Sequence, residues 1–359
     1  MTIHIFWFTT PDDNVYDAYQ YSNQEIVKNF LLEFSKYDDV VWHHSNTRGR
    51  ITENPDDILV GHPPWPREQA EGPYSNWIFD NGLSGEDDEC IAHPNSFVVL
   101  PWGPLISESH PAVDPFMEMI LHSRALFGLG GLVHYDYCIN TAPANSIWRR
   151  THSKLIRTNM GCDTRMLPTK GSDSPRTNSL LHVSSMRGYK RPELMFDSLP
   201  PEGCTLYIGT DNMKGISEMK AERLIPSNVN ILGPINNTDA DFNNFVLNNC
   251  SFYLHMANEP QATTILENCA RGLIPLLSSQ SGFNCPDAIY LHEEDIELNH
   301  NIIKKALSMP NDEFSQRRHG VRNHVRTFHS WTRICEQMYA SIRSLIAGQK
   351  VDQRGENYS

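Results

Sequence analysis

The chain has 359 residues, of which 39% are hydrophobic and 20% charged, so it is long enough for about two globular domains and is not a disordered tail. Its formal net charge of −13 argues against nucleic acid as the main partner. The eight cysteines are scattered, and no apolar stretch approaches the roughly 18 residues that cross a bilayer. We therefore expect a cytoplasmic protein without disulfides, a zinc site or a transmembrane segment.

In the first half of the chain, short apolar runs alternate with helical patterns, which predicts βαβ units and a parallel sheet. The predicted strands lie at 3–8, 40–44, 57–61, 96–101 and 137–140, and the predicted helices include 23–34 and 114–127. The segment 168–179 combines Pro, Gly, Ser and Asp without periodicity and is predicted to be an interdomain linker. The first domain would then span residues 1–167.

A second alternating series follows, with strands predicted within "SLLHVSS", "TLYIG", "NVNILG", "SFYLHM" and "LIPLLS". We expect this second domain to span 180–330. A closing helix at 331–347 and a polar, flexible tail at 348–359 complete the prediction. Two α/β domains place a cleft at their junction, and ligands of open parallel sheets bind beyond the carboxyl ends of the strands.

Three cations follow the strand "LLHVSS" within five residues: Arg187, Lys190 and Arg191. They precede a helix whose first turn is marked by Pro192. A helix N-terminus with cations beside it can bind a phosphate or a diphosphate. A solvated basic turn explains this stretch equally well, but the concentration of positive charge here in an acidic chain favours the anion site.

Two carboxylates, Glu259 and Glu267, lie at and after the turn that follows "SFYLHM". Thr264 and Glu267 match an S/T-x-x-E capping box, which would explain Glu267 structurally; Glu259 could be an ordinary loop acid. Carboxylates at a strand end can also accept hydrogen bonds from the hydroxyls of a sugar or ribose. The D-x-D of Asp239 and Asp241 is predicted to cap a helix rather than to bind a metal.

These stretches together resemble the retaining GT-B glycosyltransferases, especially glycosyltransferase family 4 (glycosyl transferases group 1). The E-x7-E pair 259–267 is similar to the family's donor site, and 182–199 resembles its phosphate-binding strand, loop and helix. Further similar stretches are 156–168, "LYIGTD", "NVNILGPI" and 328–339. The resemblance implies a GT-B fold, with two Rossmann-like domains whose parallel sheets face each other across a cleft.

The resemblance also implies roles for individual residues. Glu267 would bind the ribose hydroxyls of the nucleotide, Glu259 would bind hydroxyls of the donor sugar, and Lys190 would hold the diphosphate. The family's G-R before the loop is replaced by Ser184 and Ser185, so we expect Arg187 to substitute for the arginine. Backbone contacts to the nucleotide sugar are expected from Gln261, Ala262 and Thr263, and contacts near the base from Leu232 and Gly233.

The implied function is transfer of a sugar from a UDP- or GDP-linked donor to a saccharide or other acceptor, without a metal or another cofactor. Two alternatives remain open. A nucleotide-sugar epimerase of the same fold would turn over the nucleotide sugar without an acceptor. A non-catalytic two-domain sugar-binding protein would bind free sugar better than nucleotide.

Overall fold

The computed structural model describes most of the chain and all of the elements discussed below. The described residues are 1–7, 22–43, 52, 54–62, 83–84, 90–100, 119–130, 140, 144, 146–165, 167–169, 176–237, 239–257, 259 and 261–353. The predicted strand at 137–140, apart from Asn140, lies outside them. So does the part of the predicted linker from 170 to 175.

The chain divides into two compact units. Unit 1 comprises Met1–Gly161 and Trp331–Tyr358, and unit 2 comprises Cys162–Ser330, with Ser359 assigned to it. Unit 2 begins ahead of the predicted linker because Cys162 is tied to the end of the same unit. Its N–H donates to His329 O at 2.7 Å, and Cys162 forms a parallel bridge with Ser330.

Unit 1 contains a six-stranded parallel sheet in the order β2–β1–β3–β6–β7–β8, together with a short antiparallel pair, β4 and β5. The strands are β1 Thr2–Phe6, β2 Asp39–His43, β3 Ile58–Gly61, β4 Leu83–Ser84, β5 Cys90–Ile91, β6 Ser96–Leu100, β7 Ala125–Gly128 and β8 Leu155–Arg157. The helices with complete bounds are α1 Ser22–Phe34, α2 Ile147–Thr151 and the C-terminal helix Trp331–Ile346. All residues of β3, β6 and β7 are buried, as expected for inner strands of a parallel sheet.

One helix predicted in this unit is partly wrong. Residues 119–122 are helical, but Ala125–Gly128 form β7, paired with Phe97–Leu100 of β6. Four consecutive buried residues fit a central strand as well as a helix, because periodicity cannot separate short apolar runs. The predicted strands at 3–8, 40–44, 57–61 and 96–101 are confirmed within one or two residues.

Unit 2 contains a second six-stranded parallel sheet, in the order β11–β10–β9–β12–β13–β14. Its strands are β9 Ser179–Val183, β10 Thr205–Gly209, β11 Val229–Gly233, β12 Phe252–His255, β13 Ile274–Ser278 and β14 Ile289–Leu291. Its helices are α3 Pro192–Asp197, α4 Met213–Ala221, α5 Ala240–Asn249, α6 Thr263–Arg271, α7 Ile296–Ser308 and α8 Asn311–Phe328, so the C-terminal helix is α9. The five predicted strands are confirmed, and the short edge strand β14 was missed.

The core of unit 2 forms where the strands meet the helices. Leu206, Phe252 and Leu276 from the sheet pack in one buried cluster with Phe196 of α3 and Phe314 of α8. No helix among the described residues is long and apolar enough to cross a membrane.

The start of α9 packs tightly against α1 and against Gly161. Trp331 is buried, donates from Nε1 to Glu25 Oε1 at 3.0 Å and lies edge-on to Phe30 with ring centroids 5.8 Å apart. A Cβ at Gly161 would lie 2.2 Å from the Trp331 indole. Position 161 must therefore be glycine, because the Trp331 indole occupies the space that a Cβ would need.

We expect Gly161→Ala to lower the free energy of unfolding by about 3 kcal/mol, at the upper end of the cost of overpacking a core. Urea unfolding followed by tryptophan fluorescence measures the change. Gly188→Ala is the matched control, since a Cβ there meets nothing within 4 Å. Equal stability of the two variants would contradict the expected clash.

Candidate functional site

The strand order of unit 2 has one switch point, between β9 and β12. The chain runs outward from β9 through β10 to β11, and then returns to β12 and runs outward on the other side to β14. Loops that leave neighbouring strands in opposite directions open a crevice at the carboxyl edge of the sheet. The segments that follow Val183 and His255 border this crevice.

The loop after β9 carries the three predicted cations into different surroundings. Arg187 is exposed, and its side chain makes no hydrogen bond or ion pair with any residue that the structure describes. Lys190 is buried at the end of a 3-10 turn, Gly188–Lys190. Arg191 has a left-handed backbone, with φ of 54°, and its guanidinium donates to the Glu293 carboxylate and carbonyl. Arg191 therefore fixes the loop, whereas Arg187 is free to meet a ligand.

The loop after β12 brings Glu259 to Lys190. The Lys190 ammonium donates to Glu259 Oε2, forming an ion pair whose side chains are 9% and 28% exposed, respectively. These two residues, separated by 69 positions in sequence, are thus placed in contact at the switch point. The structure brings together one cation and one carboxylate of the predicted site.

Two polar rings with fixed partners lie buried near this ion pair. His182 Nδ1 lies 2.7 Å from Leu254 O; a carbonyl only accepts, so Nδ1 carries the proton and Nε2 accepts from Ser184 Oγ, also at 2.7 Å. Burial lowers the pKa of His182 to about 4. Tyr253 OH donates to Thr264 Oγ1 at 2.8 Å, and burial and the charges of Glu259 and Glu267 raise its pKa. Both rings are therefore neutral near pH 7.

The third ring is His255, the last residue of β12. Its ring centroid lies 5.8 Å from that of His182 and 6.1 Å from that of Tyr253. Burial, with smaller contributions from His182 and the charge of Lys190, lowers its pKa well below the usual value. A neutral imidazole can donate from one nitrogen and accept at the other.

The turn before α6 corrects one predicted role. Gln261 is fully buried with φ of 46°, its N–H donates to Ser281 O at 2.7 Å, and its side-chain Nε2 donates to Gly282 O. Its backbone amide is therefore not available to a ligand, contrary to our prediction. Helix α6 begins at Thr263. Its N-cap is Ala262, so no side chain caps the first backbone N–H groups of the helix.

Glu267 does not form the predicted capping box. Thr264 is the second residue of α6 rather than its N-cap, and its hydroxyl accepts from Tyr253. Glu267 lies one turn further on, 4% exposed, and its Oε2 accepts from Asn237 Nδ2 at 2.6 Å. The carboxylate is therefore held by the segment that follows β11.

Asn237 is itself held by Arg271, the last residue of α6. Arg271 is fully buried and donates to Asn237 O and to Asn243 Oδ1, both at 2.9 Å, and to Asn268 Oδ1 at 3.3 Å. Its guanidinium also lies 5.8 Å from the Phe242 ring centroid. This network fixes the position of the Glu267 carboxylate.

The end of β11 contributes the remaining predicted residues. Gly233 is buried with φ of 83°, a conformation that favours glycine, and its carbonyl accepts from Thr210 N at 2.9 Å. Leu232 is 36% exposed. Asp239 caps α5 by accepting from Phe242 N at 2.8 Å, as predicted for the D-x-D sequence. Within the described ranges, no group of three or more His, Cys, Asp or Glu could hold a metal ion.

Sequence reasoning missed four residues of this site: His182, Asn237, Tyr253 and His255. A signal for three of them was present, since polar rings interrupt the otherwise apolar strands "LLHV" and "FYLH" close to their carboxyl ends. Asn237 follows β11 in a loop, where an asparagine is too common to be diagnostic.

Comparison with known proteins identifies the fold. No protein-family profile matches the sequence, and no curated protein matches it. Among solved structures, HepE from Anabaena in complex with UDP and glucose is 10% identical with a TM-score of 0.64, over 96% of this chain and 100% of that chain. An α,α-trehalose-phosphate synthase (UDP-forming) from Burkholderia vietnamiensis is 10% identical with a TM-score of 0.65, over 98% of each chain.

TarM is also similar, with 11% identity and a TM-score of 0.57. The match covers 90% of this chain but 59% of the TarM chain, so this chain spans less than two thirds of that protein. At such low identity, a likeness in structure establishes the fold. The predicted fold class is confirmed, and the chain has the GT-B fold, α/β with two parallel sheets.

Proposed function

We propose that this protein is a retaining glycosyltransferase that moves a sugar from a nucleotide-diphosphate sugar to a hydroxyl of a saccharide or other acceptor. The observation that carries the proposal is the convergence of Lys190 and Glu259 at the switch point of the second sheet. A cation and a carboxylate side by side suit a ligand that joins a diphosphate to a polyol.

The nucleoside diphosphate part of the donor is bound by Lys190 together with residues that do not contact the sugar. Lys190 and the exposed Arg187 bind the diphosphate, together with the start of α6, where the Ala262 and Thr263 amides and the helix dipole favour an anion. Glu267 accepts hydrogen bonds from the ribose hydroxyls. Leu232 and Gly233 lie near the base. The positive charge that the departing diphosphate needs comes from side chains, so the reaction proposed here requires no metal.

The proposed transfer retains the configuration at the anomeric carbon. The acceptor oxygen bonds to the anomeric carbon on the face that the diphosphate leaves, and the bond from that carbon to the phosphate oxygen breaks. The departing phosphate oxygen takes the acceptor proton, giving a glycoside and a nucleoside diphosphate. Glu259 orients the sugar through its hydroxyls, and the cations stabilise the charge that develops on the diphosphate.

The choice of the first ligands rests on the structural neighbours. HepE has been crystallised with UDP-glucose, and the trehalose-phosphate synthase is described as UDP-forming. Thermal-shift measurements with UDP, UDP-glucose, GDP and GDP-mannose test the proposal. Ligand at 100 times its Kd stabilises a protein by about 2.7 kcal/mol. Turnover of the sugar nucleotide without an acceptor would indicate an epimerase, and tighter binding of free glucose than of nucleotide would indicate a sugar-binding protein.

We expect Glu267→Gln to weaken UDP and UDP-glucose equally, by about ten- to a hundredfold, because one of the hydrogen bonds from ribose to a charged acceptor is lost. Calorimetric titration measures both affinities. The amide oxygen of Gln can still accept from Asn237, so the variant keeps the local fold. Glu193→Gln, at an exposed position in α3, is the control. Unchanged nucleotide affinity would assign Glu267 a purely structural role.

A further inference from the structure

His255 is the one ring of the site whose hydrogen-bonding capacity is unused. Its side chain is fully buried, and neither ring nitrogen has a hydrogen-bond partner within the part of the chain that the structure describes. Buried polar groups in folded proteins are rarely unpaired, and each such group calls for an explanation. The neighbouring rings offer none, because His182 and Tyr253 already bond to Leu254, Ser184 and Thr264.

The Glu259 carboxylate, which pairs with Lys190, lies close to the His255 ring. The His255 Nε2 lies 3.8 Å from Glu259 Oε2, the same oxygen that Lys190 holds. This separation is too long for a hydrogen bond. The two atoms are within about 1 Å of hydrogen-bonding distance.

We infer that His255 is a positioning residue that holds Glu259 in its sugar-binding orientation once the donor's diphosphate has drawn Lys190 away. This inference rests on the proposed function and deepens it. In the free protein, Lys190 neutralises Glu259. In the complex, the ammonium turns to the more highly charged diphosphate, and the His255 Nε2–H donates to the carboxylate that faces the sugar.

The chemistry of the pocket fits this exchange of partners. A carboxylate accepts strongly from a neutral N–H, and a buried, uncharged imidazole has one such group to offer. Because Glu259 contacts the sugar and not the nucleotide, His255 contributes to binding only when a sugar is attached. His255 therefore determines selectivity for the sugar nucleotide over the free nucleoside diphosphate.

The first test needs no ligand. In Lys190→Met, Glu259 loses its cation, and the His255 Nε2–H signal in 15N-edited NMR spectra should move downfield and exchange more slowly with water. The signal is assigned to His255 because it disappears in the His255→Gln variant. Lys214→Met serves as the control, since Lys214 is an exposed lysine of α4. A His255 signal identical in wild type and Lys190→Met would overturn the exchange.

The second test compares ligands with and without sugar, using UDP and UDP-glucose, or GDP and GDP-mannose if the thermal-shift screen selects guanine. His255→Phe keeps the ring but removes the N–H, and should weaken the sugar nucleotide by about five- to tenfold while changing nucleotide affinity less than about twofold. His255→Gln, whose amide N–H can replace Nε2–H, should restore most of the affinity. His324→Phe removes another buried imidazole, in α8, and should change neither affinity.

Equal losses for nucleotide and sugar nucleotide, or no loss in a folded His255→Phe variant, would overturn the inference. Circular dichroism confirms that each variant is folded. If the wild type binds no nucleotide at all, the proposed function fails, and the ligand-free NMR comparison still decides whether Glu259 changes partner.

Discussion

Replacing Lys190 by Met is expected to lower turnover by about 10²- to 10³-fold, with a smaller loss of donor affinity. The leaving diphosphate gains negative charge in the transition state, and Lys190 is the buried cation at the switch point. A buried ammonium acts in a medium of low dielectric, where its stabilising effect exceeds that in water. Steady-state kinetics with the donor selected by the binding screen give kcat and KM separately.

Two other basic residues, one in the same loop and one in α4, serve for comparison with this result. Arg187→Ala should also reduce turnover, because the free guanidinium of Arg187 can approach the diphosphate. Lys214→Met is a neutral control, since Lys214 is exposed and lies 3.9 Å from Glu218 on α4. A Lys190→Met enzyme with normal kcat and raised KM would show that Lys190 binds the donor without acting on the transition state.

Arg271→Met is expected to lower the free energy of unfolding by about 3–5 kcal/mol, the range for breaking a buried charged network. The variant removes the donor to three oxygen acceptors, on Asn237, Asn243 and Asn268, which then remain buried without that partner. Met fills a similar volume, so the loss of hydrogen bonds dominates. Urea unfolding monitored by circular dichroism measures the change.

The same substitution should also weaken nucleotide binding, because Arg271 fixes Asn237 and Asn237 holds Glu267. Arg317→Met is the matched control: Arg317 pairs with Glu313 one turn away on the surface of α8, and such i,i+4 pairs contribute about 0.5 kcal/mol or less. Stability of Arg271→Met equal to that of Arg317→Met would contradict the structural role of the buried guanidinium.

Strong periodic signals explain how much of the fold could be predicted. The alternation of apolar runs and amphipathic stretches predicted nine of the strands that the structure describes, and the two six-stranded sheets are parallel as expected. The strand β7 was assigned to a helix because its four residues are all buried and carry no alternation. The three-residue β14 is too short to stand out from the loop around it.

The candidate site was less predictable because its geometry depends on contacts distant in sequence. The spacing of Thr264 and Glu267 fits a capping box, but Tyr253 of the adjacent strand binds the threonine, and Asn237 binds the glutamate. The backbone of Gln261 was expected to contact the nucleotide sugar, but its N–H donates to Ser281 O in the structure. Local patterns located the loops correctly and could not indicate which groups tertiary partners would occupy.

The discontinuous unit 1 has a consequence for folding during synthesis. Helix α1 buries Phe30 and Glu25 against Trp331, and Tyr37 stacks on Tyr339 of α9 with ring centroids 4.4 Å apart. Trp331 follows the segment Cys162–Ser330 of unit 2 in the chain, so at about 5–20 residues per second the ribosome delivers the start of α9 roughly 9–34 s after Gly161. During that interval the segment Cys162–Ser330 can fold, while Phe30 and Glu25 of α1 still lack their partner Trp331.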